Sequence, residues 1–471
     1  MPSTLDKIYS HSPTWLQQLG VNLYGIIWRN RRYGGVFEDA VCAYMARESL
    51  TTDEWHSYQT QQLRRLLVYA EQHVPYYRTL FHDLDLRSGD LEQFRLEDLP
   101  SLPLLNKESL RQAPSEFLAD NISKKSLHTY LTSGTSGTPL GVMFTSEMHQ
   151  RMYAAFEARA RRWAGVDHKM SRAMIGGRLV VPRASSKPPF WRYNAVERQL
   201  YMSAFHISPA NVPYYVEALN HYKPDYLMGY ASGHFFLARM IKELGLNVHS
   251  PRAVLTSSEK LFPEMRAVLE EVYHSPVFDG YSGVEACCLA TECEHHHLHL
   301  SPDVGIVEIL DDSGMPVQVG QSGEITATGL LNFAQPLIRY RTGDYAVLSD
   351  QSCPCGRQMS VIRELVGRIE DTVVGPDGRE TVRFHGIFVG LQGVREGQIV
   401  QETLYSFRVR LAVDSSFDES ECGIIRRRFA ERLGPVNVAI EYVDEIERTE
   451  RGKFRAVISK VQRIPAGPHA E

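Results

Sequence analysis

Residues 132–141 read Thr132-Ser133-Gly134-Thr135-Ser136-Gly137-Thr138-Pro139-Leu140-Gly141, three glycines and five hydroxyls in ten positions. Few structural needs demand that density. The short β-type run Leu127 to Leu131 precedes it and Gly141-Val-Met-Phe144 follows, so the stretch predicts a hairpin-like loop between two strands. Glycines let backbone N–H groups wrap phosphate oxygens, and hydroxyls add donors. It is not a Walker loop, because no Gly-Lys-Ser/Thr opens a following helix. A plain Ser/Thr/Gly surface turn is the alternative reading.

Working outward, short β-branched and aromatic runs alternate with helical patterns at Ser146 to Ala164, Pro213 to Asn220, His234 to Leu246 and Pro263 to Tyr273. Such alternation over some 200 residues predicts an α/β domain with a largely parallel sheet. Upstream, residues 1–120 read mostly as helices, with apolar periodicity from Glu54 to His73 and a stop at Val74-Pro75. The segment Trp15 to Trp28, followed by Arg29, Arg31 and Arg32, is amphipathic and aromatic-rich; with no sustained polar face it is expected to pack on the core, contact with a membrane surface or a partner being the alternative. After Asp303 the texture is β-rich. From 367 onward short strands flank one helix, Asp418 to Leu433. The expected architecture is α/β: a large N-terminal domain over 1–366, helical in 1–120, α/β in 121–300 and β-rich in 301–366, with a small α+β domain over 367–471.

The 471 residues carry 51 Lys+Arg against 56 Asp+Glu, a net charge of −5, so no broad cationic field exists to attract nucleic acid. No signal-peptide pattern and no bilayer-length apolar run are visible, which predicts no transmembrane segment and a cytoplasmic location. Seven cysteines, an odd number, do not make a disulfide framework. Cys42 and Cys422 stand in helical patterns and read as buried core thiols. Cys287, Cys288, Cys293, Cys353 and Cys355 fall in one third of the chain.

Three further segments carry chemistry. Asp279-Gly-Tyr-Ser-Gly-Val-Glu285 joins a glycine turn, an aromatic face and a carboxylate, suited to stacking a purine on Tyr281 and holding Mg²⁺ through Glu285. Arg339-Tyr-Arg-Thr-Gly-Asp344 offers in Asp344 an acceptor for a ribose diol. Arg448-Thr-Glu-Arg-Gly-Lys453-Phe-Arg455 sets a lysine in a polar loop near the C-terminus. Each also has a plainer reading: Tyr281 as a core aromatic, Asp344 as a turn former, Lys453 as a solvated charge.

In this order the four motifs resemble the adenylate-forming superfamily of acyl-CoA synthetases, adenylation domains and luciferases. Val74-Pro-Tyr-Tyr-Arg78 and Cys353-Pro-Cys355-Gly-Arg357 are similar to the phenylacetate-CoA ligases and related capsule-biosynthesis proteins. The resemblance implies that Thr132, Ser133, Gly134, Thr135, Ser136, Gly137 and Thr138 hold the β- and γ-phosphates of ATP, that Tyr281 stacks on adenine, and that Glu285 binds Mg²⁺. It implies that Asp344 and Arg368 contact the ribose, that Glu370 is the hinge between adenylation domain and C-terminal lid, and that Lys453 is catalytic. Leu140, Val284 and Glu370 depart from the usual residues at their positions, which are Lys, Thr or Ser, and Asp. Cys293, the histidines of Glu294-His-His-His-Leu-His299, and Cys353 with Cys355 supply ligands enough for tetrahedral Zn²⁺. The branch implies a structural zinc on Cys293, His299, Cys353 and Cys355, with His295, His296 and His297 as competing imidazoles; free thiols beside a solvated histidine cluster are the alternative. The acyl pocket is expected between Tyr201 and Ser232, including Phe205, His206 and Tyr230. The implied activity is that of an AMP-forming acid-thiol ligase: ATP-dependent conversion of an aryl or medium acyl carboxylate to an acyl-adenylate, passed to CoA. Delivery to a carrier-protein phosphopantetheine or an amine is the near alternative, and a non-catalytic nucleotide-binding scaffold the distant one. The branch is often dimeric, so a homodimer is among the implied states.

Overall fold

Thr51 accepts the Glu54 N–H on its hydroxyl while the Glu54 carboxylate accepts the Thr51 N–H, a reciprocal cap that starts the helix Thr52–His73. Trp55, Leu63, Leu66, Leu67 and Ala70 recur at helical spacing and form its buried face. The helix ends at Val74 because Pro75 cannot donate to it; that proline opens the next helix, Pro75–Asp83. The computed structural model describes residues 4–461 except 132–139, 183–184, 186, 369–372, 377–379, 382–386, 389–390 and 448–453. They divide into two compact units, one comprising Met1–Thr342 with Ala346–Leu365, the other Gly343–Tyr345 with Val366–Glu471.

The first unit is built on a twelve-stranded sheet. Five neighbouring strands run parallel in the spatial order Gln199–Ser203, Arg172–Gly176, Tyr226–Tyr230, Ala253–Ser257, Val277–Ser282. Helices Val212–Tyr222, Ala231–Glu243 and Pro263–Tyr273 make the crossovers that parallel pairing requires. Their apolar faces close a core with Leu200, Leu227, Val254 and Val277. Gly229 sits at φ +131°, and a Cβ there would stand 1.8 Å from the Ile175 carbonyl oxygen, so only glycine lets these strands approach. Trp191–Asn194 closes one edge antiparallel to Gln199–Ser203. Beyond Val277–Ser282 the sheet continues through Leu289–Glu292, Leu298–Leu300, Val361–Arg368, Tyr340–Leu348, Ser322–Gly329 and Gly305–Leu310. Strands His128–Leu131 and Gly141–Phe144 pair antiparallel, the expected hairpin around the glycine-rich loop.

The second unit is α+β. Its sheet has the order Asn437–Tyr442, Ser406–Val413, Val394–Gln401, Val457–Ser459, and helix Ser420–Leu433 packs Ile425, Phe429 and Leu433 with Phe407, Val409 and Leu411.

Three expectations need correction. Cys42 is exposed, although Cys422 is buried. The helical pattern from Ser146 runs on to Trp163 but is not regular throughout: after Ala155 it widens into a π-turn, Phe156–Arg161, that buries Glu157, Arg159 and Arg161. Helix Thr14–Tyr33 packs only one face, through Gln17, Gly25, Trp28 and Arg32, and leaves most of its aliphatic side chains exposed.

The widened turn serves a buried ion cluster. Arg159 grips both carboxylate oxygens of Asp303, with Nη2 at 2.8 Å from Oδ2, and Arg47 Nε lies 2.8 Å from Oδ2. Burial opposes the Asp303 charge, but the two guanidiniums outweigh it and hold the carboxyl below the ordinary range. Removing one partner of such a cluster strands a charge away from water. We expect Arg159→Met to lower unfolding free energy in urea by about 3–5 kcal/mol, and Arg159→Met/Asp303→Leu to recover most of it.

Candidate active site

The parallel strands end on one edge of the sheet, where ligands of open α/β sheets bind. Along Val277–Ser282, Asp279 is half-buried; its Oδ1 accepts the Thr256 hydroxyl at 2.9 Å, and its N–H donates to Glu292 Oε2 at 2.9 Å. Glu292 in turn pairs with Arg266 at 2.6 Å. Burial, reinforced by the neighbouring Glu292 carboxylate, pushes the Asp279 carboxyl up to about 7. Two residues on, Tyr281 is half-buried and packs against two apolar clusters.

After this strand the backbone turns through Gly283, where a Cβ would lie 2.5 Å from Glu285 Oε2, so glycine allows the carboxylate to fold back. Glu285 Oε1 accepts the Tyr340 hydroxyl at 3.1 Å and lies 3.9 Å from Lys107 Nζ. Lys107 is brought there by backbone pairing. Leu105 N donates to Arg339 O at 2.9 Å, and Leu105 O accepts from Arg341 N at 2.9 Å. Arg339, itself at φ +49°, ties this strap down by donating to Pro100 O at 3.0 Å and pairing with Glu308 at 2.9 Å. Asn106 then caps the helix Lys107–Gln112 by accepting the Ser109 N–H. The outcome is a carboxylate flanked by an ammonium and a phenol. Lys107 and Tyr340 were not among the residues expected from sequence: Tyr340 stands inside the Arg339–Asp344 motif, which was read for its aspartate, and no local pattern marks Lys107.

The remaining expected residues are distributed as follows. Thr132 to Thr138, Glu370 and Lys453 lie outside the described residues, and the Arg368 side chain is likewise not described. The base of the glycine-rich hairpin is held by Met143, whose N–H donates to Gln335 Oε1 at 2.8 Å and whose carbonyl accepts from Asn332 at 3.1 Å. Leu140 is buried. Asp344 belongs to the second unit, on strand Tyr340–Leu348. Phe205 and Tyr230 are half-buried, whereas His206 is buried, stacked on Phe190 at 5.2 Å with Nδ1 2.7 Å from Ser203 Oγ. Near Tyr230, Ser232 donates its N–H and hydroxyl to Glu259 at 3.0 and 2.6 Å, a further polar pair that the sequence did not single out.

Cys293, His299, Cys353 and Cys355 converge, their ligand atoms all within 4.8 Å of one another. Cys293 Sγ is 3.6 Å from Cys353 Sγ, and Cys355 Sγ is 3.4 Å from His299 Nε2. Around tetrahedral zinc the corresponding separations are about 3.8 Å for two sulfurs and about 3.5 Å for sulfur and nitrogen, so the donor set fits that ion. His299 Nδ1 faces the Met359 carbonyl at 3.2 Å, which aims Nε2 at the thiols. His296 turns away, to Glu292 and Arg266. Arg357 stacks on Trp163 and joins Glu48 to Glu294, fastening this corner to the N-terminal helices.

Residues 373–460 match the family model of the CapK C-terminal domain. Protein CapK of Staphylococcus aureus is 25% identical over 468 residues, spanning 97% of this chain and 100% of that protein. In sequence the chain is thus similar to protein CapK and to phenylacetate-CoA ligases, the branch that its motifs resemble. The phenylacetate-coenzyme A ligase of Thermus thermophilus is 26% identical over 336 residues, 69% of this chain and 73% of that enzyme. A solved 2-hydroxyisobutyryl-CoA ligase in complex with 2-HIB-AMP shares the fold at a TM-score of 0.70 and 21% identity, covering 88% of this chain and 91% of that one.

Because Asp279 binds its proton more tightly folded (about 7) than unfolded (3.8), its contribution to stability is full below pH 3.8 and is lost as pH rises to about 7. Asp279→Asn is expected to flatten the decline in melting temperature between those pH values and to leave the variant more stable than wild type at pH 8.

Proposed function

We propose that this chain activates a carboxylic acid with ATP, releasing pyrophosphate, and passes the acyl group to the thiol of CoA. The observation that carries the proposal is the Glu285 carboxylate, held between Lys107 and Tyr340 at the end of a parallel strand, in a branch that includes phenylacetate-CoA ligases. In the first step a carboxylate oxygen attacks the α-phosphorus, forming the acyl–O–P bond as the bond to pyrophosphate breaks. In the second, thiolate attacks the acyl carbon and AMP departs with the bridging oxygen. The nucleophile of the first step is already ionised, so the site's work is to bring anions together and neutralise them.

Each group has a role in that task. Glu285 would hold Mg²⁺, which supplies positive charge at the phosphates. Lys107 adds a cation on the same side, where Leu140 leaves the glycine-rich loop without the lysine usual in the superfamily. Tyr281 offers its ring to the adenine. The loop 132–138, Asp344, Arg368 and Lys453 keep the roles their motifs imply: phosphate binding, ribose binding and catalysis, with Glu370 as hinge. Phe205 and Tyr230 favour an aryl or medium acyl acid. Zinc on Cys293, His299, Cys353 and Cys355 would be structural, since four protein ligands leave no open position. A second reading, transfer to a carrier-protein phosphopantetheine or an amine, draws support from the end-to-end likeness of this chain to protein CapK, whereas the phenylacetate-CoA ligases match this chain over a shorter stretch.

Acid-dependent exchange of labelled pyrophosphate into ATP, run over phenylacetate, benzoate and octanoate, tests the first step. Wild type is expected to exchange with at least one acid and Lys453→Ala to fall by about 100-fold or more; binding of ATP without exchange on a wider acid panel contradicts the proposal. For the metal, Cys353→Ser is expected to lose about one equivalent of bound zinc together with thermal stability, and full zinc retention contradicts the ligand set.

A further inference from the structure

Helix Thr14–Tyr33 is amphipathic the wrong way round. Its inward face is polar and serves the sheet edge: Gln18 Oε1 accepts the Tyr193 N–H at 3.0 Å, Asn22 donates to the Tyr193 carbonyl at 3.1 Å and accepts the Ala195 N–H at 2.9 Å, and Gln17 accepts from Arg192 at 3.1 Å. These amides satisfy backbone groups that an open edge strand would leave to water. A Cβ at Gly25 would stand 2.5 Å from the Asn194 side chain, which shows how closely the helix is seated, and Arg32 pairs with the buried Glu197 at 3.2 Å.

The outward face is apolar. Trp15, Leu16, Leu19, Leu23, Ile26 and Ile27 are between 39% and 69% exposed, and Ile8 of the preceding helix Thr4–His11 adds to them. At 3.6 residues per turn the six span an arc of about 120°, wider than the seam of a two-stranded coiled coil. The segment 7–37 contains no Asp or Glu but carries Lys7, Arg29, Arg31 and Arg32, within a chain whose net charge is −5. Arg29 is exposed and forms no ion pair with a described residue, and Arg31 lies over the Trp28 ring. Among the described residues no helix is long and apolar enough to cross a membrane.

We propose that this face lies in the surface of a bilayer containing anionic lipid. The apolar arc enters the acyl boundary, Trp15 and Tyr24 flank it, and Arg29 with Arg31 meets lipid phosphates. Charge decides against a second copy of the chain as the occupant. Paired along helix Thr14–Tyr33, two copies bring together only basic and uncharged side chains, because that helix carries Arg29, Arg31 and Arg32 and no Asp or Glu, whereas anionic headgroups supply the missing charge.

Flotation of the full-length protein with vesicles of phosphatidylcholine alone, and with 30% phosphatidylglycerol (about that fraction), tests the proposal. Wild type is expected to float with the anionic vesicles, less as salt rises, and with a blue-shifted tryptophan emission that Trp15→Phe removes. Leu19→Gln/Ile26→Gln should weaken partitioning by about tenfold or more with melting temperature unchanged, because both side chains face solvent in the free protein. Failure of wild type to float with anionic vesicles overturns the proposal, as does unimpaired flotation of the double variant. A wild-type dimer that the same two substitutions dissociate would also overturn it, by assigning the face to a second copy.

Discussion

The carboxylate of Asp303, sealed from water and held by Arg159 and Arg47, is the junction on which the first unit is organised. Asp303 and its two partners come from three parts of the chain: Arg47 from the end of helix Phe37–Ala46, Arg159 from the π-turn behind the glycine-rich hairpin, and Asp303 from the connection between strands Leu298–Leu300 and Gly305–Leu310. A lone buried charge costs far more than one exposed ion pair returns, so the three parts are held together or the cluster fails. Tyr44 lies against both guanidiniums and the surrounding apolar residues keep water out.

Consequences run outward from there. On the strand that follows Asp303, Glu308 clamps Arg339, and Arg339 fixes the strap that carries Lys107 to Glu285. On the strand that precedes Asp303, His299 turns toward three cysteines. Ion pairing at one buried point thereby links the edge of the sheet that carries Glu285 to the corner that gathers Cys293, His299, Cys353 and Cys355, although neither residue set contains Asp303.

Much of this architecture was legible in sequence where the signal is local. Pro263 to Tyr273 is a helix at the expected bounds because proline sets its start, and the hairpin around 132–141 follows from two short β-type runs. Residues placed by distant pairing were not legible. Lys107 reaches Glu285 only because Leu105 bridges to Tyr340, and nothing near residue 107 announces that pairing. Asp279 stands in a motif noticed for its tyrosine and glutamate, yet its raised proton affinity comes first from removal from water and then from Glu292 across an antiparallel turn, neither of which the motif announces. The segment Trp15 to Trp28 was legible as amphipathic and expected to pack on the core, but its orientation was not legible, because the edge strand demands amides and so turns the aliphatic side outward. The choice among four clustered histidines likewise needed the Met359 carbonyl that aims His299.

The central claim is that a carboxylate oxygen of the substrate becomes bonded to the α-phosphorus of ATP at the Glu285 edge. The most direct measurement is transfer of heavy oxygen: the acid that supports turnover, labelled with ¹⁸O in its carboxylate, is incubated with ATP, Mg²⁺ and acceptor, and the nucleotide product is weighed by mass spectrometry. The account predicts AMP carrying a single ¹⁸O from the acid. Unlabelled AMP, or ADP with the label in orthophosphate, would contradict it.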